Sequence, residues 1–168
     1  KYLTSFPGYY ETGDAGYCDE DGYLYIMART DDVINVAGHR LSTGQLEEVL
    51  ADHPDIAECA VIGVVDQLKG QLPLGLICLY PNCNRLQDDI VAEAIALVKD
   101  RVGRVSSFNL IVVIERLPKT RSGKVLRGTM AKIADGENWN MPATIDDPAI
   151  LDEIKMALQS IGYAGGKS

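Results

Sequence analysis

No apolar run in this sequence approaches the roughly 20 residues that a membrane-crossing helix needs, so no span is expected. Histidine is scarce: only His39 and His53 occur. The cysteines Cys18, Cys59, Cys78 and Cys83 include no Cys-x-x-Cys pair. A zinc centre needs closer Cys and His spacing than that, so no metal site is expected. Cys59 and Cys78 sit in apolar runs and read as reduced thiols, packed in the core of a protein from a reducing compartment. Positive charge is also short. Sixteen Lys and Arg against 24 Asp and Glu leave a formal net charge of −8. That balance argues against a nucleic acid or an anionic membrane as the partner. There is no internal repeat and no low-complexity block.

What is present suits a globular protein. Hydrophobic residues make up 46% and charged residues 24% of 168 positions, enough to bury a core without a disulfide or metal staple. The sequence opens on Lys1 rather than Met, and its first residues are not expected to form a signal peptide. The opening ten residues, with Pro7 and Gly8, show neither helical nor strand periodicity and read like a connector entered in mid-protein.

Asp19-Glu20-Asp21-Gly22 marks a turn, and 23–28 alternates as a strand. Thr30-Asp31-Asp32 breaks the pattern before a second short strand at 33–36. These two strands meeting at an acidic break suggest a hairpin-like or hinge-like arrangement. Ser42 with Gln45 has the spacing of a capping box, opening a helix that runs to about Asp52. Strands are expected at 56–64, 72–80 and 110–115, and helices at 87–102, 125–134 and 147–161. The fold class expected is α+β: a small hairpin plus a three-stranded sheet with flanking helices. Residues 162–168 read as frayed.

Three segments are too polar or glycine-rich for packing alone. In Tyr10-Glu11-Thr12-Gly13-Asp14, a carboxylate at a loop tip suits a ribose diol, and equally an Asx-type turn. In the stretch from Arg29 to Arg40, two arginines bracket the acidic break. They suit phosphate, and the break suits a hinge; a surface hairpin with weak salt bridges fits as well. Gly38 there allows close approach of a ligand or a positive φ. In Pro118-Lys119-Thr120-Arg121-Ser122-Gly123-Lys124, a lysine follows Ser-Gly and precedes a helix. Lys119, Arg121, Lys124 and Arg127 form a basic spot suited to phosphate or carboxylate, or a solvated turn. Asp66-Gln67-Leu68-Lys69-Gly70-Gln71 reads as a turn between strands.

Taken in order, these segments resemble one family, the acyl-activating enzymes that include acetyl- and propionyl-CoA synthetases. Residues 10–14 match its Tyr-x-Thr-Gly-Asp motif, 29–40 its hinge motif, and 118–124 its C-terminal lysine motif. Three motifs in the right order are far more specific than any one. The stretches 35–43, 68–75 and 142–148 look most like the propionyl-CoA branch.

The resemblance implies an AMP-forming ligase of short-chain acids, propionate or acetate, with ATP and CoA as substrates. Mg2+ would accompany ATP, held mainly by an N-terminal domain. Residues 1–30 would close that N-terminal domain and lead to the hinge, 31–135 would form a mobile C-terminal domain, and 136–168 an extension. Asp14 would hold the ribose, Arg29 the ribose or a phosphate, and Arg40 the ATP phosphates. Asp31 would be the hinge, and Lys124 the adenylation lysine. Gly38 would line the path of the CoA thiol, where a side chain should block it, and Lys99 would lie near the CoA phosphates. The family's phosphate-cradling loop and adenine-binding segment are not found in this sequence, so the chain alone is expected to be inactive. Lys124 would be open to acylating and deacylating enzymes. The cytoplasm and the mitochondrial matrix both fit. Two other readings are a relative that uses a carrier-protein acceptor, and a non-catalytic α+β module that docks a partner protein.

Overall fold

Four short strands lead into a mixed run of helices and strands. The computed structural model describes residues 6–165, without the side chains of Met27, Ala28 and Asp31. Residues 1–5 of the expected connector and 166–168 of the expected frayed end lie outside the described residues. The elements are β1 (Asp14–Cys18), β2 (Leu24–Arg29), a 3-10 turn (Thr30–Asp32), β3 (Val33–Val36), β4 (His39–Ser42), α1 (Thr43–Ala51), β5 (Ile56–Asp66), β6 (Gly70–Leu79), α2 (Gln87–Arg101), a second 3-10 turn (Arg104–Ser106), β7 (Leu110–Val113), α3 (Arg127–Ala134) and α4 (Ile150–Ser160).

The centre is the β5–β6 hairpin, antiparallel from Ile56↔Leu79 to Asp66↔Gly70. Its turn is the 66–71 segment. There Asp66 Oδ1 accepts the N–H groups of Leu68 at 3.0 Å and Lys69 at 2.7 Å. β7 lies parallel to β6, from Leu74↔Leu110 to Ile77↔Val113, reached through α2 as a crossover. β3 meets the same edge of β6 further along, through the single pair Val36↔Gly70. The Gln71 side chain extends that junction, its Oε1 accepting the Asn35 N–H at 2.9 Å.

The α+β class with a small hairpin and a helix-flanked sheet is what forms. β5, β6 and β7 are the three expected strands, and β3 with β4 widens the sheet to five. The strands at 23–28 and 33–36 do not pair with each other. β2 folds back on β1, with the Tyr17 and Tyr25 rings stacked at 4.9 Å, while β3 pairs forward with β4. The intervening 3-10 turn redirects the chain. Thr30 ties that turn to the hairpin, donating its N–H at 2.8 Å and its hydroxyl at 3.0 Å to the Gly13 carbonyl.

Helix starts differ in detail. Ser42 precedes α1, but its hydroxyl makes no capping hydrogen bond; it is the last paired residue of β4, opposite Val33. α3 begins two residues later than expected because Val125 is bridged to Lys119 and the Leu126 N–H bonds the Pro118 carbonyl. α4 begins at Ile150 because Asp147 Oδ1 accepts the Ala149 N–H at 3.0 Å in a turn before it.

Alternation along β5 and β6 splits the core between two faces. Ala60, Ile62, Val64, Leu74, Leu76 and Cys78 pack with α3 and α4. Val61 and Ile77 pack with α1, α2 and Phe108 on the opposite face. A sheet covered on both sides needs continuous apolar strands, which explains the unbroken runs in β5 and β6. Burial pushes the Cys59 thiol up to about 11, with Glu47 adding to it. Burial, with Glu58 adding to it, does the same to Cys78. Neither is therefore set up as a nucleophile.

Gly75 faces the α1/α2 layer. A Cβ there would lie 3.0 Å from Phe108 Cζ and 3.3 Å from an Ile111 side-chain carbon. Phe108 is fully buried, so neither neighbour has room to withdraw. Gly75→Val is expected to destabilise the domain by about 1–3 kcal/mol, the usual cost of overpacking, as a lowered midpoint in thermal unfolding.

Candidate functional site

The expected site residues fall into two places. The first surrounds the junction of the β1–β2 hairpin with β3 and β4. Asp14 opens β1 opposite Arg29 at the end of β2 in the register, and their side chains approach to 3.9 Å. Both are exposed. Asp31 lies in the 3-10 turn that separates the hairpin from the main sheet; its side chain is outside the described residues. A cleft of about 410 Å3 runs between hairpin and sheet, lined by Gly16, Thr30, Asn35, Arg40, Leu41 and Ser42 among others. Arg40 is exposed, and its side chain has no partner among the described residues.

Gly38 sits at the tip of the β3–β4 hairpin. Ala37 at φ +48° and Gly38 at φ +87° form the two-residue turn with both φ values positive that matches strand twist. The Ala37 N–H donates to the Lys69 carbonyl at 2.8 Å, hanging this turn on the β5–β6 turn. A Cβ on Gly38 would meet nothing within 4 Å. In this arrangement the obstacle to a side chain is the backbone angle, with open space beside it. Lys99 lies half-buried in the last turn of α2. The 3-10 turn that follows α2 touches β4. Arg101 in the same turn is paired with Asp52.

The second place is the lysine loop. It is a tight ribbon closed by the Lys119↔Val125 bridge. Inside it the Thr120 N–H donates to the Lys124 carbonyl at 2.8 Å, and Thr120 Oγ1 accepts the Lys124 N–H at 3.1 Å. Lys124 points out of this frame: it is exposed, and its amine has no partner among the described residues. A notch of about 390 Å3 lies beside it, lined by Thr120, Arg121, Ser122, Lys124, Ala143 and Thr144.

The expected basic spot of four cations is only half available. Lys119 Nζ is held by Glu58 at 2.6 Å. Arg127 is held by Glu47, with Nε to Oε1 at 2.9 Å and Nη2 to Oε2 at 2.7 Å. Arg121 and Lys124 remain without ion pairs among the described residues. The cleft at Arg40 and the notch at Lys124 share no lining residue, so two separate sites face solvent.

Sequence reasoning missed the acidic partners and the contact of the tail with the lysine loop. Glu47 also accepts the Val61 N–H at 2.8 Å, so one carboxylate joins α1, β5 and α3. No local pattern signals a partner 80 residues away. His53 follows the end of α1. It is buried, its Nδ1 accepts the Asp55 N–H, and Nε2 lies 3.2 Å from Glu93. Arg85 bonds Glu93 at 2.5 Å and Asp55 at 2.8 Å, and it holds the Glu93 carboxyl below its usual range. This is a structural staple between α2 and the end of α1.

Comparison with known proteins bears on the family and the fold. The family model for the AMP-binding enzyme C-terminal domain matches residues 45–124. The mitochondrial acyl-CoA synthetase short-chain family member 3 of Mus musculus is 46% identical over 94% of this chain and 23% of its own length. The propionate–CoA ligase of Escherichia coli is 44% identical over 89% of this chain and 24% of its own. Among solved structures, an anthranilate CoA ligase in complex with anthranoyl-AMP superposes with a TM-score of 0.62 at 31% identity, over 74% of this chain and 24% of that one. The chain thus spans about a quarter of the length of the curated relatives it matches. Residues 45–124 belong to the AMP-binding enzyme C-terminal domain family, and the chain resembles the C-terminal domain of the short-chain acyl-CoA synthetases.

Proposed function

We propose that this chain serves as the mobile C-terminal domain of an AMP-forming short-chain acid–CoA ligase, with propionate as its first substrate and acetate as a second. Residues 1–30 would end the N-terminal domain and lead to the hinge, 31–135 would be the moving domain, and 136–168 its extension. The observation that carries the reading is Lys124, an unpaired ammonium held on a hydrogen-bonded loop beside an open notch, in an acidic protein.

In the first half-reaction, a carboxylate oxygen attacks the α-phosphorus of ATP, and the bond to pyrophosphate breaks. Two anions must meet, so a cation between them lowers the barrier. Lys124 would do this without first breaking an ion pair among the described residues. Asp14 and Arg29 would hold the ribose and phosphate side of the nucleotide, and Arg40 its phosphates. In the second half-reaction, the CoA sulfur attacks the acyl carbon and AMP leaves. Because the two sites face solvent separately, the domain would turn about Asp31 to present first the loop and then the Gly38 turn, with Lys99 near the CoA phosphates. ATP would bring Mg2+. Among the described residues no three His, Cys, Asp or Glu side chains gather to hold a metal, and no step here is routed through the ion.

The exposed Lys124 amine is also within reach of acylating and deacylating enzymes, and acylation would remove the charge that adenylation needs. No described helix is long and apolar enough to cross a membrane. The work would be done in the cytoplasm or the mitochondrial matrix.

The test uses the complete polypeptide and this chain side by side. The complete polypeptide is expected to catalyse propionate-dependent exchange of pyrophosphate into ATP, and to form propionyl-CoA. The chain alone should do neither. No exchange with propionate, acetate or homologous acids in the complete polypeptide would remove the ligase reading.

A further inference from the structure

The stretch 142–148 lies beyond the family-model match, which ends at Lys124. It nevertheless touches the lysine loop directly. Thr120 is bridged to Ile145 in antiparallel fashion. The Arg121 N–H donates to the Thr144 carbonyl at 3.0 Å, and the Asp146 N–H donates to the Lys119 carbonyl at 3.0 Å. The loop ribbon thus gains a third strand from the tail. Without it, the ribbon is held by the Lys119↔Val125 bridge, the Leu126-to-Pro118 backbone bond and bonds within its own tip.

The tail is itself firmly anchored. Ile145 is buried in the same cluster as Leu117 and Met130, which flank the loop in sequence. Ile150, Leu151, Ile154 and Leu158 of α4 are buried there too. Arg116, just before the loop, bonds Asp147 at 2.5 Å. Ala143 and Thr144 form the far wall of the notch that Lys124 borders.

We infer that residues 144–147 are positioning residues for Lys124: they splint the loop as an added strand and fix where its ammonium stands. The inference rests on the adenylation reading of Lys124. Backbone bonds on both sides of Thr120 limit the loop to one register, so the lysine reaches the reacting anions without an ordering cost in each turnover. A loop without its splint would sample more conformations and hold the cation in place for less of the time. Thioester formation does not use Lys124, and so does not use the splint.

The test is made in the complete polypeptide with both half-reactions measured separately. Asp146→Pro removes the N–H that bonds the Lys119 carbonyl, and Asp147→Asn removes the ion pair to Arg116. Asp146→Pro is expected to slow acid-dependent pyrophosphate exchange about tenfold, the rate equivalent of one lost hydrogen bond. Asp147→Asn should slow it about threefold by the same scale, the pair being exposed. Thioester formation from preformed acyl-adenylate should change less than about twofold in either. Ile90→Ala, a core truncation in α2 on the opposite face of the sheet, should lower thermal stability and leave the ratio of the two half-reactions unchanged. If Asp146→Pro does not fold, Asp147→Asn decides. An unchanged ratio in the folded variants, or a parallel fall of both half-reactions, overturns the splint. Lys124→Ala run alongside separates the failures: if it spares exchange, the adenylation reading itself is wrong. If it abolishes exchange while the tail variants leave the ratio alone, only the splint is wrong.

Discussion

Lys124→Ala in the complete polypeptide is expected to lower acid-dependent pyrophosphate exchange by about 10²–10³-fold, the usual loss when one preorganised charge contact is removed from a transition state. Thioester formation from preformed propionyl-adenylate and CoA should stay within about twofold of wild type. The asymmetry is the point of the experiment. A lysine that only stabilised the loop would affect both half-reactions through the folded fraction. Here the loop is closed by backbone bonds and by Thr120 Oγ1, with the amine contributing none of them. Truncation at Lys124 therefore costs little structure. Survival of both half-reactions would make the loop structural or regulatory and favour the partner-docking module.

The second large effect concerns stability. Glu47 is 17% and Arg127 29% exposed in their side chains, so the pair is mostly shielded from water. Glu47 Oε1 also satisfies the Val61 N–H on the edge of β5 that β6 does not cover. Glu47→Ala would strand both a guanidinium and a backbone donor. Stranding one member of a buried pair costs more than the pair itself is worth, and an orphaned donor adds to it. The expected loss is about 2–4 kcal/mol, somewhat below the fully buried range because water reaches Arg127. For a domain of this size, that is a fall of about 6–12 °C in Tm. Glu47→Gln keeps an acceptor for Val61 and should lose about half as much. A Tm for Glu47→Ala within a degree of wild type would show that Arg127 finds water or another acceptor instead.

Much of the main sheet was legible because apolar runs with turn residues between them report strands by local chemistry. The 56–64, 72–80 and 110–115 runs became β5, β6 and β7 within a few residues. Pairing was less legible. The run at 23–28 pairs with β1 and not with 33–36; the acidic break at Thr30–Asp32 suited a hairpin and a hinge alike, and residue identity does not choose between them. The lysine loop was legible as polar and cationic. That Lys119 and Arg127 are already neutralised depends on Glu58 and Glu47, dozens of residues away, a distance at which single-sequence patterns carry no signal. The contact between the tail and the lysine loop was not legible, because backbone-to-backbone bonds such as Asp146 to Lys119 leave no mark on residue identity.

The two partners that share one edge of β6 have a consequence for how the chain folds. The β5–β6 hairpin brings together neighbours in sequence, so its closure is fast. β3 and β4 precede it, and their docking at Gly70 also closes a modest loop. β7 is different: its pairing with Leu74–Ile77 waits for α2 and the segment after it to be in place. During synthesis from the N-terminus, that stretch of β6 has no partner on one side until residues 110–113 emerge. The tail that reaches the lysine loop comes later still, so the loop lacks its third strand until residues 144–146 have emerged.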